Sequence, residues 1–133
     1  MGSYVIRPIP LCKGIRDRSQ WTYRIGYGEK VTTCTYLWYI QGFKEGILVD
    51  AGASAEQFRK RGLWDEDIQS VEKGMKNAGI DFEDIKIVIL THLHSDHVAL
   101  ASKFSNAVFF LQKREFDFAM NPHPAVASQY SKD

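Results

Sequence analysis

The stretch Thr91-His92-Leu93-His94-Ser95-Asp96-His97 constrains this chain more than any other: three of its four histidines fall within six residues, beside an aspartate. The cluster follows Ile85-Lys86-Ile87-Val88-Ile89-Leu90. This β-branched run reads as a buried strand, and in open α/β sheets ligands bind at the carboxyl ends of strands. Neutral imidazole nitrogens and a carboxylate oxygen are donors suited first to zinc, with iron and manganese also accommodated. The cluster therefore reads as a metal site. A metal-free, histidine-rich surface loop is the plainer alternative, but it would need neither the buried strand before it nor an acidic strand end upstream.

Spacing refines the reading. In extended backbone, alternate side chains point the same way, so His92 and His94 can share an ion, while Asp96 and His97 lie past a bend where a helix is expected to begin. Four ligands drawn from six residues onto one tetrahedral ion would strain the loop. Two divalent ions side by side are the economical arrangement, one on each pair, with further ligands from elsewhere. That is the layout of two-metal hydrolysis, in which a bridging hydroxide attacks a polarised centre.

The flanking chain reads as layered α/β. Residues 3–10 are expected to form a strand ended by Pro8 and Pro10, with a loop over 11–20. Trp21, Tyr23 and Ile25 alternate with polar residues, as in a half-buried strand or an ordered loop carrying aromatics. Core or edge packing is the first reading of these three, and a wall against substrate the second. Residues 31–41 form a strand with apolar groups on both faces, Cys34, Tyr36, Trp38 and Ile40 on one and Leu37 and Tyr39 on the other, which suggests burial on both sides. A turn over 42–46 leads into Ile47-Leu48-Val49-Asp50, where Asp50 ends a strand before the small residues Ala51-Gly52-Ala53-Ser54. Helices are expected over 55–61, over 65–78 with Ile68, Val71, Met75 and Ala78 on its buried face, over 98–104 and over 112–120. Residues 107–111 make another buried strand. The tail from 121 to 133 reads as loop, and His123 within it as a surface residue.

Taken together, Ile47-Leu48-Val49-Asp50, the Thr-His-Leu-His-Ser-Asp-His motif, the strand Ala107-Val108-Phe109-Phe110-Leu111 and the helix opening at Gln112-Lys113-Arg114-Glu115-Phe116 resemble the metallo-β-lactamase superfamily, and within it the N-acyl homoserine lactonases and related lactone hydrolases. The resemblance implies the amino-terminal half of an αββα sandwich, a mixed sheet with helices on one face, occupying residues 1–133 as one domain without its carboxyl-terminal half. It implies two divalent ions, zinc first, with His92 and His94 on one and Asp96 and His97 on the other. Asp96 would also carry a proton to the leaving group, and Asp50 would support a metal-binding histidine from behind. Val98-Ala99-Leu100-Ala101 replaces the small, glycine-containing residues that usually follow the family motif. The family's remaining ligands, a histidine, a bridging aspartate and a final histidine, come from a part of the domain beyond Asp133. The function implied is metal-dependent opening of a lactone or related ester, with thioesters, phosphodiesters and β-lactams as alternatives. On this reading, the chain alone would bind metal weakly or not at all, and an under-ligated half-domain that self-associates is the second expectation.

Composition bounds the rest. At 133 residues and 44% hydrophobic, the chain can bury one core. Its 17 basic residues against 16 acidic ones provide no field for nucleic acid, an acidic membrane face or a strongly anionic substrate. A small-molecule substrate is expected, with no nucleic acid or membrane partner, and homo-oligomerisation through the face meant for the missing half. The first residues lack the pattern of a signal peptide, so a soluble cytoplasmic protein is the expectation. Cys12 and Cys34 are expected to be reduced thiols, Cys34 packing as a small apolar residue.

Overall fold

Two long strands open the chain. β1 (Val5–Asp17) and β2 (Lys30–Gln41) pair antiparallel from Val5 opposite Gln41 to Asp17 opposite Lys30, in a computed structural model that describes residues 3–42 and 44–130. β2 returns antiparallel into β3 (Gly46–Val49), and Phe43 of the expected turn lies outside the described residues. α1 (Ala55–Lys60), β4 (Asp65–Asp67) and α2 (Val71–Asn77) then carry the chain across to β5 (Ile85–Leu90), which lies parallel to β3. α3 (Ser95–Val98) and a 3-10 turn, Ala101–Phe104, lead to β6 (Val108–Leu111), parallel to β5, and then to α4 (Lys113–Met120). The sheet is mixed, in the order β4-β1-β2-β3-β5-β6. Among the described residues, no helix is long and apolar enough to cross a membrane.

One face of this sheet carries the core. Ile9, Leu11, Leu37, Leu48, Val88 and Leu90 meet Val71 and Met75 of α2, together with Ile80 and Phe104. Phe104 stacks on Phe82 with centroids 5.2 Å apart. Full burial of such side chains is worth about 1.5–3 kcal/mol each, so this face dominates the stability of the chain. The opposite face holds two in-register apolar rows. One runs Ile6, Ile40, Ile47, Ile87, Val108, and the other Pro8, Trp38, Val49, Ile89, Phe110. Much of their surface is open: Ile6, Trp38, Ile89, Val108 and Phe110 are all exposed. The two-sided burial expected for β2 is therefore met on one side only, and β6, expected to be buried, is exposed at Val108, Phe109 and Phe110 because it ends the order of strands and nothing covers its outer face among the described residues.

Several expectations shift for identifiable reasons. β1 continues through both prolines to Asp17, replacing the expected loop over 11–20. β2 flanks it throughout, but β4 reaches only Cys12, Lys13 and Gly14, so at Pro8 and Pro10 it is an edge, where a missing donor is tolerated. A bulge between Pro10 and Cys12 adds a residue, and burial then continues at Cys12, Gly14 and Arg16. The helix expected from 65 begins at Val71, capped by Ser70 Oγ accepting from Lys73 N–H, and Asp65–Asp67 is instead a strand against β1. Ile68, assigned to the helix's buried face, is exposed as a result. Trp21 and Tyr23 lie in a turn and Ile25 in the irregular segment after it, all three on the surface. The helix expected over 98–104 is divided between α3, which starts earlier at Ser95, and the 101–104 turn.

Candidate metal centre

Parallel pairing of β3 and β5 brings their carboxyl ends side by side, with Asp50 N–H donating to the Ile89 carbonyl at 2.9 Å. Asp50 then departs from strand geometry at φ +61°. Gly52 follows at φ +69°, where a Cβ would stand 2.6 Å from Leu11 Cδ1, so only glycine fits without displacement. This tight exit lets Ala51 and Gly52 donate backbone N–H groups to the His97 carbonyl at 2.7 and 3.0 Å, tying the β3 exit to α3.

The Asp50 side chain, only 5% exposed, is the centre of the site. Its Oδ1 accepts from the Thr91 backbone N–H at 2.8 Å, the Thr91 hydroxyl lies 2.9 Å from both carboxylate oxygens, and Oδ2 is 2.7 Å from His97 Nδ1. A carboxylate only accepts, so the proton of the last bond sits on His97 Nδ1 and the Thr91 hydroxyl turns its single hydrogen towards Asp50. Thr91 Oγ1, 3.0 Å from His92 Nδ1, is then left to accept from that nitrogen. One carboxylate, directly and through one hydroxyl, thus leaves Nε2 of both His92 and His97 as the nitrogen free to bind a cation.

Electrostatics divide the two rings, favouring the neutral form at His92 and the protonated form at His97. Burial alone would raise the Asp50 carboxyl, but the His97 hydrogen bond and the Thr91 amide outweigh it and hold its pKa below the usual value. Burial alone would lower His97, but the Asp50 hydrogen bond, with the charges of Asp96 and Asp50, raises it. His92 is lowered, first by burial and then by the neighbouring His97 and His94. A neutral imidazole in such a place is a ligand in waiting.

The three rings gather closely, with His92 centred 4.5 Å from His94 and 4.0 Å from His97. Asp96 Oδ2 lies 3.5 Å from His97 Nε2. All four expected ligands line one cavity of about 690 Å³, along with Trp21, Cys34, Phe58 and Leu63. Among the described residues, no three His, Cys, Asp or Glu side chains are disposed to enclose one ion. The donor chemistry fits divalent cations, while the number of donors calls for further ligands. His123 is exposed in the tail, its Nδ1 accepting from Ala125 N–H at 3.2 Å.

Other contributors escaped the sequence reading. Glu115 of α4 accepts the Leu93 N–H on Oε1 at 2.9 Å, and Tyr130 stands edge-on to the His94 ring at 4.9 Å. Arg16 and Asp65, both buried, pair at 2.6 Å in the wall of the cavity, with the guanidinium over the Phe58 ring. Trp21 lines the cavity instead of packing in the core. Both cysteines are free, and burial pushes the Cys12 thiol up to about 11, an inert core group.

Comparison with known proteins agrees with this architecture. Residues 27–124 match the family model described as the metallo-beta-lactamase superfamily. The N-acyl homoserine lactonase AttM of Azorhizobium caulinodans is 42% identical over 48 residues, 36% of this chain and 18% of that protein. A crystal structure of a quorum-quenching N-acyl homoserine lactone lactonase superposes with a TM-score of 0.77 at 21% identity, over 99% of this chain and 54% of the other. A B. thuringiensis AiiA variant with N-decanoyl-L-homoserine bound at its active site gives 0.71 at 20% identity, over 97% and 54%. The chain thus spans about half the length of these solved structures.

Proposed function

This chain belongs to the metallo-beta-lactamase superfamily, and from that premise we propose that it supplies the first metal-binding half of a hydrolase that opens a lactone or related ester, in the manner named for its lactonase relatives. The observation that carries this reading is the Asp50–Thr91 network, which turns Nε2 of His92 and His97 free for a cation in a cavity shared with His94 and Asp96. His92 and His94 would hold one divalent ion, and Asp96 and His97 a second, zinc first by donor type. Bound ions would supply Lewis acidity and lower the pKa of a water to near neutrality. Asp96, partly exposed at the cavity, would accept a proton and return it to the departing alkoxide. Asp50 and Thr91 hold the imidazole tautomers throughout. Trp21, Phe58 and Leu63 offer the apolar part of an ester a place to lie. The two free cysteines suit a reducing, cytoplasmic setting.

The test is hydrolysis by the full-length protein across lactone, ester, thioester and phosphodiester substrates. Lactone turnover is expected to dominate and to fall by about 10²–10⁴-fold in Asp96→Asn, which retains shape but not basicity. His94→Ala is expected to remove it together with bound metal. Unchanged lactone turnover in either variant would contradict the assignment.

The two apolar rows favour a second reading for these 133 residues alone. Open apolar surface of this extent drives association, so self-association through that face is expected. Sedimentation should show mass rising with concentration and returning towards the monomer in a Trp38→Ser/Phe110→Ser variant. A monomer at all concentrations would rule this out.

A further inference from the structure

The peptide between His92 and His94 is held by a residue far along the chain. Leu93 N–H, the amide separating the two histidines, donates to Glu115 Oε1 at 2.9 Å, and Glu115 is partly buried on the first turn of α4. Tyr130 closes the arrangement from the tail. It forms an isolated antiparallel bridge with His94, presents its ring edge-on to the imidazole, and packs against Phe118 of α4 with centroids 5.8 Å apart. Asp50 and Thr91 reach His92 and His97, and neither forms a hydrogen bond with His94.

We propose that Glu115 is a positioning residue for the His92-Leu93-His94 segment, fixing the intervening peptide through Leu93 N–H and, with Tyr130, the orientation of the His94 ring. The inference rests on the metal-binding reading above, yet the clamp exists in the apo chain and is read there. A peptide left unanchored between two ligands would sample several orientations, and the ion would have to select one, at a cost in affinity. α4 thereby acquires a role at the site although it contributes no ligand. Reach, not charge, is the property required of residue 115, because an amide oxygen accepts from Leu93 N–H as a carboxylate does.

The experiment compares Glu115→Gln and Glu115→Asp in the metal-free chain. Glutamine retains reach without charge, and aspartate retains charge but is one methylene short. Amide exchange at Leu93 and the imidazole ¹⁵N and ring-proton resonances of His92 and His94 are followed, with Val88 and Leu90 amides as the reference for the sheet. Glu115→Gln should match the parent. Glu115→Asp should speed Leu93 exchange by about tenfold or more and shift His94, leaving Val88 and Leu90 protected. Zn²⁺ affinity of the full-length protein should fall about tenfold in Glu115→Asp alone, within the range seen when groups that orient ligands are lost. The reverse ranking, with glutamine impaired and aspartate normal, would make the effect one of charge and overturn the proposal, as would identical spectra in all three proteins. If the parent binds no metal while the apo spectra rank as expected, the metal-binding reading fails and the clamp stands.

Discussion

Asp50→Ala is expected to destabilise the metal-free chain by about 3 kcal/mol, among the largest losses available to a single substitution here. The carboxylate is buried and satisfies the Thr91 amide, the Thr91 hydroxyl and His97 Nδ1 together, so its removal takes the acceptor from all three and leaves only the backbone bonds of Ala51 and Gly52 to hold α3 against the end of β3. The effect depends on pH in both directions. Because the Asp50 pKa is lowered, its contribution is present above its unfolded value of about 4 and is lost as pH falls through the folded value. Because the His97 pKa is raised, its share is present below about 6.5 and is lost as pH rises through the folded value. Urea unfolding of the chelator-treated chain should therefore show the widest gap between parent and Asp50→Ala between about pH 4 and 6.5, narrowing on either side. A gap constant from pH 4 to 9 would mean that the Asp50–His97 contact contributes nothing as an ion pair.

Asp65→Ala is expected to be as damaging for a different reason. Arg16 is 8% exposed, pairs with Asp65 at 2.6 Å and lies over Phe58, so losing the carboxylate leaves a buried guanidinium without its counter-charge, at about 3–5 kcal/mol. Asp65 also opens β4, whose register against β1 places it opposite Gly14, where any side chain would collide with the pair. The control is Arg16→Met/Asp65→Leu, which removes both charges and should recover most of the loss. Thermal unfolding of the three proteins reads the difference directly. A double variant no better than Asp65→Ala would place the penalty in packing and not in the unpaired charge.

The parts of this molecule legible in its sequence are those made by local pattern. Ile85 to Leu90 declares a strand through its β-branched run, and Val71 and Met75 mark one face of α2. The mixed sheet with its open face agrees with the half-domain expected from the family resemblance. What stayed hidden depends on pairing between distant residues. Asp65-Glu66-Asp67 has no strand pattern and becomes a strand because Cys12 to Gly14 offer it an edge. Pro8 and Pro10 argue for a break, and only the one-sided flank of β1 shows why none is needed. Glu115 and Tyr130 lie 22 and 36 positions beyond Leu93 and His94, and nothing local to either marks a contact with the motif.

The central claim is that His92, His94, Asp96 and His97 form one half of a metal site prepared by Asp50 and Thr91. Its most direct test is titration of the full-length protein, stripped of metal, with Zn²⁺ while the imidazole ¹⁵N resonances of His92, His94, His97 and His123 are followed. The account predicts that Nε2 of His92 and His97 and the His94 ring respond together, that His123 does not move, and that Asp50→Asn blunts the response. No response at the three clustered histidines, or an equal response at all four, would contradict it.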